Sequence, residues 1–336
     1  MNAISNLPYF HCKFVAVKGM GHGSIFYQKN GILEVLEEPV TNSWINISPP
    51  FTLEELEEIA NQFEIPLDFL TDSLDVDERS RYEKEDDVRL ILVNTAILNE
   101  AESENDAVYI TAPIGIILTT DHVITISAYE TPVLEMFIEG KVKNFDPSDD
   151  KLFVLQILEQ NVYRFLNCLK KLNLKRNLIE QELLDSSRNK ELKQLLSIEK
   201  SLVYFVNSLS SNELLKMKMK RSDYLRVGQD EEKNDLFEDI LIDNSQALEM
   251  ANIYTNILNG TMDAYGSIIS NNLNIVMKRL TLITIVLMVP TLFASFYGMN
   301  IPLPFSESKF ALLYIFTISM VVSILLIWYF QRKRLF

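Results

Sequence analysis

The sequence predicts an α+β domain carried on a long helical stalk that ends in a two-helix transmembrane hairpin. Three observations predict it. Residues 1–147 mix strand-like stretches with helix-opening signals, the region after about residue 150 is Leu- and Lys/Glu-rich with helical spacing, and residues 280–297 and 310–330 contain no charge. The expected divisions are an α/β domain at 1–147, a helical region at 148–234 and a stalk helix at 235–279. The first membrane helix follows at 280–297, an external loop at 298–309, the second membrane helix at 310–330 and a basic tail at 331–336.

In chain order, strands are expected at His11–Val17, Val88–Leu98, Val108–Thr119 and His122–Ala128, the last two joined by the turn residues Thr120-Asp121. Thr52-Leu53-Glu54-Glu55 is a capping box that opens a helix running to about Phe63, and Pro132 opens another near Val133. Helices are expected over 150–185 and 189–220, with Ser186-Ser187-Arg188-Asn189 as the turn, and the polar segment 227–235 with Gly228 is expected to be a loop. The stalk carries apolar Leu236, Ile240, Leu248, Ile253, Ile257 and Leu258, and no proline interrupts it before Pro290. Gly260 and Gly266 each weaken that helix by roughly 1 kcal/mol, which argues for close packing or bending there.

Each apolar run is long enough to cross about 30 Å of hydrocarbon. Lys278-Arg279 precedes the first and Arg332-Lys333-Arg334 follows the second, so the positive-inside bias puts both flanks, and both termini, in the cytoplasm of a cell-membrane protein. The connecting segment, with Pro302, Pro304 and Ser306, must then lie outside, and Trp328 and Tyr329 suit an interfacial anchor. The opening residues Met1–Phe10 lack the basic start of a secretory signal.

Of the chain's 31 basic and 46 acidic residues, residues 278–336 hold six and one, leaving 25 against 45, or about −20, on residues 1–277. Such a surface repels nucleic acid and enriches cations. Cys12 and Cys168 lie far apart, which indicates neither a zinc knuckle nor a disulfide framework. His11, His22 and His122 lack metal-ligand spacing, no catalytic grouping or P-loop is legible, and neither an enzyme nor an organic cofactor is expected.

The most informative pattern lies in and below the first membrane run. Counting back from Gly298 in alternate steps of three and four gives Ser295, Thr291, Met288, Thr284, Thr281, Met277 and Asn274, and then Ser270, Ser267 and Asp263. A seam of such residues makes a poor hydrophobic coiled coil. Around a symmetry axis the same positions become rings of oxygen, suited to an ion that keeps its water shell, as magnesium prefers. Met277, Met288 and nearby Leu280 are then the apolar constrictions. Ordinary small-residue helix packing would also place Thr and Ser on a seam, but it gives no role to Asp263.

Tyr297-Gly298-Met299-Asn300, at the end of the penultimate membrane helix, together with Asn274-Ile275-Val276-Met277-Lys278-Arg279-Leu280-Thr281 upstream, resembles the CorA family of two-helix magnesium and cobalt transporters. The resemblance implies a homopentameric, funnel-shaped channel that takes up Mg²⁺, with Co²⁺ and Ni²⁺ as further cargo. Gly298, Met299 and Asn300 would form the selectivity filter; Asn274, Met277, Leu280, Met288 and Thr291 would line the pore, with Asp263 at its cytoplasmic part. It further implies regulatory Mg²⁺ between neighbouring cytoplasmic domains. Asp239, 24 residues before Asp263, matches that site, and Asp86 or Asp87 of the adjacent subunit is the expected partner. The sequence departs from the family in the place of Pro290, in Ser295 at a Gly-like position and in an external loop whose only acid is Glu307. A zinc transporter of the same superfamily and a non-conducting membrane-anchored sensor remain as alternatives.

Overall fold

The computed structural model describes residues 23–29, 32–36, 38–100, 106–185, 189–299 and 310–333, and the chain divides into two units, Met1–Asn259 and Gly260–Phe336. The strand expected at His11–Val17 and the turn at 186–188 lie outside the described residues.

The first unit is built on a seven-stranded sheet. Its strands are β1 Gly23–Lys29, β2 Ile32–Leu36, β3 Ser43–Ile47, β4 Arg81–Glu85, β5 Val88–Leu98, β6 Tyr109–Leu118 and β7 His122–Ile126, in the order β2-β1-β3-β7-β6-β5-β4. All neighbours are antiparallel except β3 and β7, which run parallel from Ser43 opposite His122 to Ile47 opposite Ile126.

Side chains alternate across the sheet, and both faces are apolar. Leu90, Leu92, Ile117, Ile124 and Ile126 point to one core with α1 (Leu53–Gln62) and α2 (Leu67–Asp72). Ile91, Val93, Ile114, Ile116 and Val123 point to the other, shared with α3 (Pro132–Ile138), α4 (Asp150–Asp185), α5 (Asn189–Arg221) and the start of α6 (Glu231–Tyr297). Trp44 anchors that second core, stacked on Phe26 and edge-on to Phe137, Phe145 and Phe153, while its indole N–H donates to Thr125 Oγ1 at 2.8 Å.

The capping box at Thr52 is formed in both directions, with Glu55 N donating to Thr52 Oγ1 and Thr52 N donating to Glu55 Oε2. Pro132 occupies the first turn of α3. The sequence reading misses α2 and four strands. Strands β1 and β2 are an edge hairpin in which β2 (Ile-Leu-Glu-Val-Leu) is apolar but only five residues long, and β4 (Arg-Tyr-Glu-Lys-Glu) is a polar edge strand without an apolar run. Arg81 ties β4 to the end of α2 by an ion pair to Asp72 and also pairs with Glu78 in the connecting segment.

The loop expected over 227–235 ends earlier. Helix α6 starts at Glu231, because the Asp230 carboxylate accepts from Lys233 N at 3.2 Å and Glu231 and Glu232 suit a helix N-terminus. The polar run that reads as loop is partly a first helical turn. The helix also passes Pro290 without a break. A Cβ at Gly260 or Gly266 would meet nothing within 4 Å among the described residues, so of the close packing or bending expected there, no close packing is present within the described chain.

Candidate pore-lining face and acidic seam

The second unit contains α6 from Gly260 onward and α7, Ala311–Arg332, both long and apolar enough to cross a membrane. Shielded residues mark the faces that pack. On α6 they are Leu282, Val286, Val289, Phe293 and Tyr297; on α7 they are Ile315, Ser319, Val322, Ser323 and Leu326. The two buried serines of α7 are small enough to let helix backbones approach.

The polar stripe is on the other side. Asp263, Asn274, Met277, Leu280, Thr281, Thr284, Met288, Thr291 and Ser295 are all exposed. At about 100° per residue the shielded face of α6 and the stripe point roughly 180° apart. Within a single chain one side of α6 is shielded and the oxygen-bearing side is bare.

The hydroxyls on this stripe are oriented. Thr281 Oγ1 donates to Met277 O at 2.9 Å, Thr284 Oγ1 to Leu280 O at 2.9 Å, Thr291 Oγ1 to Leu287 O at 3.1 Å and Ser267 Oγ to Asp263 O at 3.1 Å. Each hydroxyl hydrogen is used inside the helix, so what remains outward is oxygen lone pairs. Water bound to a cation presents only hydrogens outward. The stripe is therefore matched to a hydrated cation and mismatched to an anion.

At the far end, α6 stops at Tyr297 with turn bonds from Gly298 N to Ala294 O at 3.0 Å and from Met299 N to Phe296 O at 3.2 Å. A Cβ at Gly298 would lie 3.3 Å from Ala294 O, tight enough to favour glycine. Met299 is exposed; Asn300 and residues 301–309 lie outside the described residues. At the other end of α7 the Arg332 guanidinium sits 5.3 Å from the Trp328 ring centre.

Asp239 is exposed on α6, within the first unit. Burial raises the pKa of the Tyr163 phenol on α4, and the negative charges of Glu159, Asp243 and Asp239 push it further, so acids of α4 and α6 face one seam. Sequence reasoning missed Glu159 and Asp243. The spacing of four from Asp239 to Asp243 was legible; Glu159, on another helix, left no local signal. Asp86 and Asp87 are exposed in the turn between β4 and β5, Asp86 with φ +50°. Among the described residues of one chain, no three His, Cys, Asp or Glu side chains group to hold a metal ion.

A family model described as CorA-like Mg²⁺ transporter protein matches residues 41–333. The cobalt/magnesium transport protein CorA of Methanocaldococcus jannaschii is 26% identical over 295 residues, covering 86% of this chain and 90% of that protein. The complete structure of the CorA magnesium transporter from the same organism is similar with a TM-score of 0.77 at 24% identity, covering 92% of this chain and 97% of that one. The ZntB cytoplasmic domain from Vibrio parahaemolyticus matches with a TM-score of 0.57 at 12% identity, covering 74% of this chain and 98% of that one, a likeness of fold. The family match over residues 41–333, on a fold with two membrane-length helices, places the chain in the CorA family of Mg²⁺ transporter proteins.

Proposed function

We propose that the chain forms a passive channel for hydrated divalent cations, Mg²⁺ first and Co²⁺ or Ni²⁺ as alternatives, in the cell membrane with both termini cytoplasmic. The observation that carries this reading is the bare stripe of α6 opposite its shielded face, with threonine hydroxyls bonded back into the helix. Two helices cannot enclose water, so several copies must set their stripes around an axis; the family resemblance supplies five. Gly298, Met299 and Asn300 form the entry filter, Met277, Leu280 and Met288 the apolar constrictions, and Asn274, Thr281, Thr284, Thr291 and Ser295 the wet rings down to Asp263. A divalent ion moving down a 100 mV potential releases roughly 4.6 kcal/mol, which drives uptake without a nucleotide.

Internal Mg²⁺ closes the pore in this reading, bound by Asp239 together with acids of an adjacent subunit. Asp86 and Asp87 remain the proposed partners, and the acids facing Tyr163 support the α4–α6 seam as part of the same region. The test is tracer flux into liposomes holding the full-length protein, with Mg²⁺, Co²⁺, Ni²⁺ and Zn²⁺ compared and Asn300→Ala as the variant. Selective Mg²⁺ flux lost in the variant supports the channel. Zinc movement without Mg²⁺ movement would sink it, no flux above protein-free liposomes in either protein would favour a non-conducting role, and Mg²⁺ flux unaffected by Asn300→Ala would remove Asn300 from the filter.

A further inference from the structure

The seam between α5 and α6 in the first unit holds a fully buried lysine. Lys216 has no exposed surface, although it lies on a helix with a free outer face. Its amine donates to Asn244 Oδ1 of α6 at 2.7 Å, and Asn244, also fully buried, donates from Nδ2 to Leu209 O of α5 at 3.1 Å. An ammonium has three hydrogens to place, and among the described residues it bonds to one neutral acceptor. Asn212, one turn earlier on α5, is already used by Ser80 and Asn94.

No carboxylate of the described residues pairs with Lys216. The charge of Glu213, on the same helix, acts on Lys216 and favours the ammonium. The buried face of α6 here is Phe237, Ile240, Asn244, Ala247 and Ala251, without an ionisable side chain. The charges of Asp239 and Asp243 of α6 and Glu159 of α4 act on Tyr163 of α4 instead. Burial outweighs Glu213 and brings the amine down to about 7, inside the physiological range.

We propose that Lys216 and Asn244 form a proton-operated latch between α5 and α6: the helices pack as observed around the neutral amine, and proton uptake by Lys216 loosens the seam. Because α6 runs as one helix from Glu231 to Tyr297, the latch acts on the helix that carries the stripe. Only this last consequence rests on the transport reading.

Hydrogen–deuterium exchange of the full-length protein in liposomes, corrected for intrinsic exchange, tests the latch directly at about pH 6 and about pH 8.5. In the wild type, protection over 205–219 and 237–251 should fall at least about fivefold at the acid pH. Lys216→Met, which keeps the bulk without the charge, should remove that difference. If Lys216→Met keeps the wild-type pH dependence, or the wild type shows none, the latch is wrong. Mg²⁺ uptake at fixed internal Mg²⁺ is the second readout: it should vary with internal pH in the wild type and not in Lys216→Met. Absence of uptake at every pH with the exchange difference intact overturns the transport reading and leaves the latch standing.

Discussion

Replacing Thr284 by Val tests whether the outward lone pairs of the stripe carry ions. The two side chains have the same shape, but Val offers no oxygen. In the structure Thr284 Oγ1 spends its hydrogen on Leu280 O at 2.9 Å and is exposed, so the variant deletes an acceptor and leaves the shielded face of α6 untouched. A hydrogen bond involving a charged partner contributes about 1.5–3 kcal/mol. The lower end of that range, added to the barrier for a hydrated cation, slows flux roughly tenfold. Thr284→Ser keeps the oxygen and should stay within about twofold. The control is Thr317→Val on α7, where Thr317 Oγ1 donates to Leu313 O at 2.7 Å on an equally exposed turn, off the stripe. Initial-rate Mg²⁺ uptake in proteoliposomes, normalised to inserted protein, is the assay. Equal rates for Thr284→Val and Thr317→Val, or equal losses for Thr284→Val and Thr284→Ser, would refute the reasoning.

Asp239→Asn should raise the internal Mg²⁺ needed to halve uptake by several-fold while leaving uptake at low internal Mg²⁺ near wild type; an unchanged inhibition curve removes Asp239 from regulation. Gly115→Ala should lower stability by about 1–3 kcal/mol, because the new methyl would collide with Ser73 Oγ and Cβ where α2 crosses β6. Pairing it with Ser73→Gly should recover part of the melting temperature, and a melting temperature unchanged in the single variant would contradict the packing. Lys216 gives a pH test of stability. Its folded pKa of about 7 lies below the ordinary 10.5, so between those values the unfolded chain holds a proton that the folded chain has released. Stability from this group therefore rises with pH across that window, by at most about 1.4 kcal/mol per pH unit, and is lost as pH falls toward 7. Thermal unfolding of Lys216→Met should show a flatter pH dependence than wild type in that window; parallel curves would refute the buried-amine assignment.

Much of the long helical part was legible because its signals are local. The Thr52 capping box and Pro132 each act within one turn, and both open helices in the structure. Strands β5 and β6 are buried on both faces, so their apolar runs stand out in the sequence. Strand β4 was not legible, since an edge strand needs few apolar residues, and β3 was not legible because it is held by pairing with β7, distant in sequence. The first turn of α6 was hidden for a related reason: Glu-Glu-Lys-Asn-Asp is polar enough to read as loop, and only the Asp230 cap and the chain's path make it helical. The acids gathered near Tyr163 come from α4 and α6, about 80 residues apart, which no spacing rule connects.

The sequence by itself determined the two membrane-length helices, the register of the stripe from Asp263 to Ser295 and the Gly298 turn that ends α6. Hydropathy and helical periodicity are properties of a single segment, and they survive whatever that segment packs against. The tertiary structure decided what faces what. It set the parallel β3–β7 pair at the centre of an otherwise antiparallel sheet, shielded the side of α6 away from the stripe, and sealed Lys216 against Asn244. These depend on contacts between segments far apart in the chain, where burial and the pairing of polar groups, not local pattern, choose among arrangements.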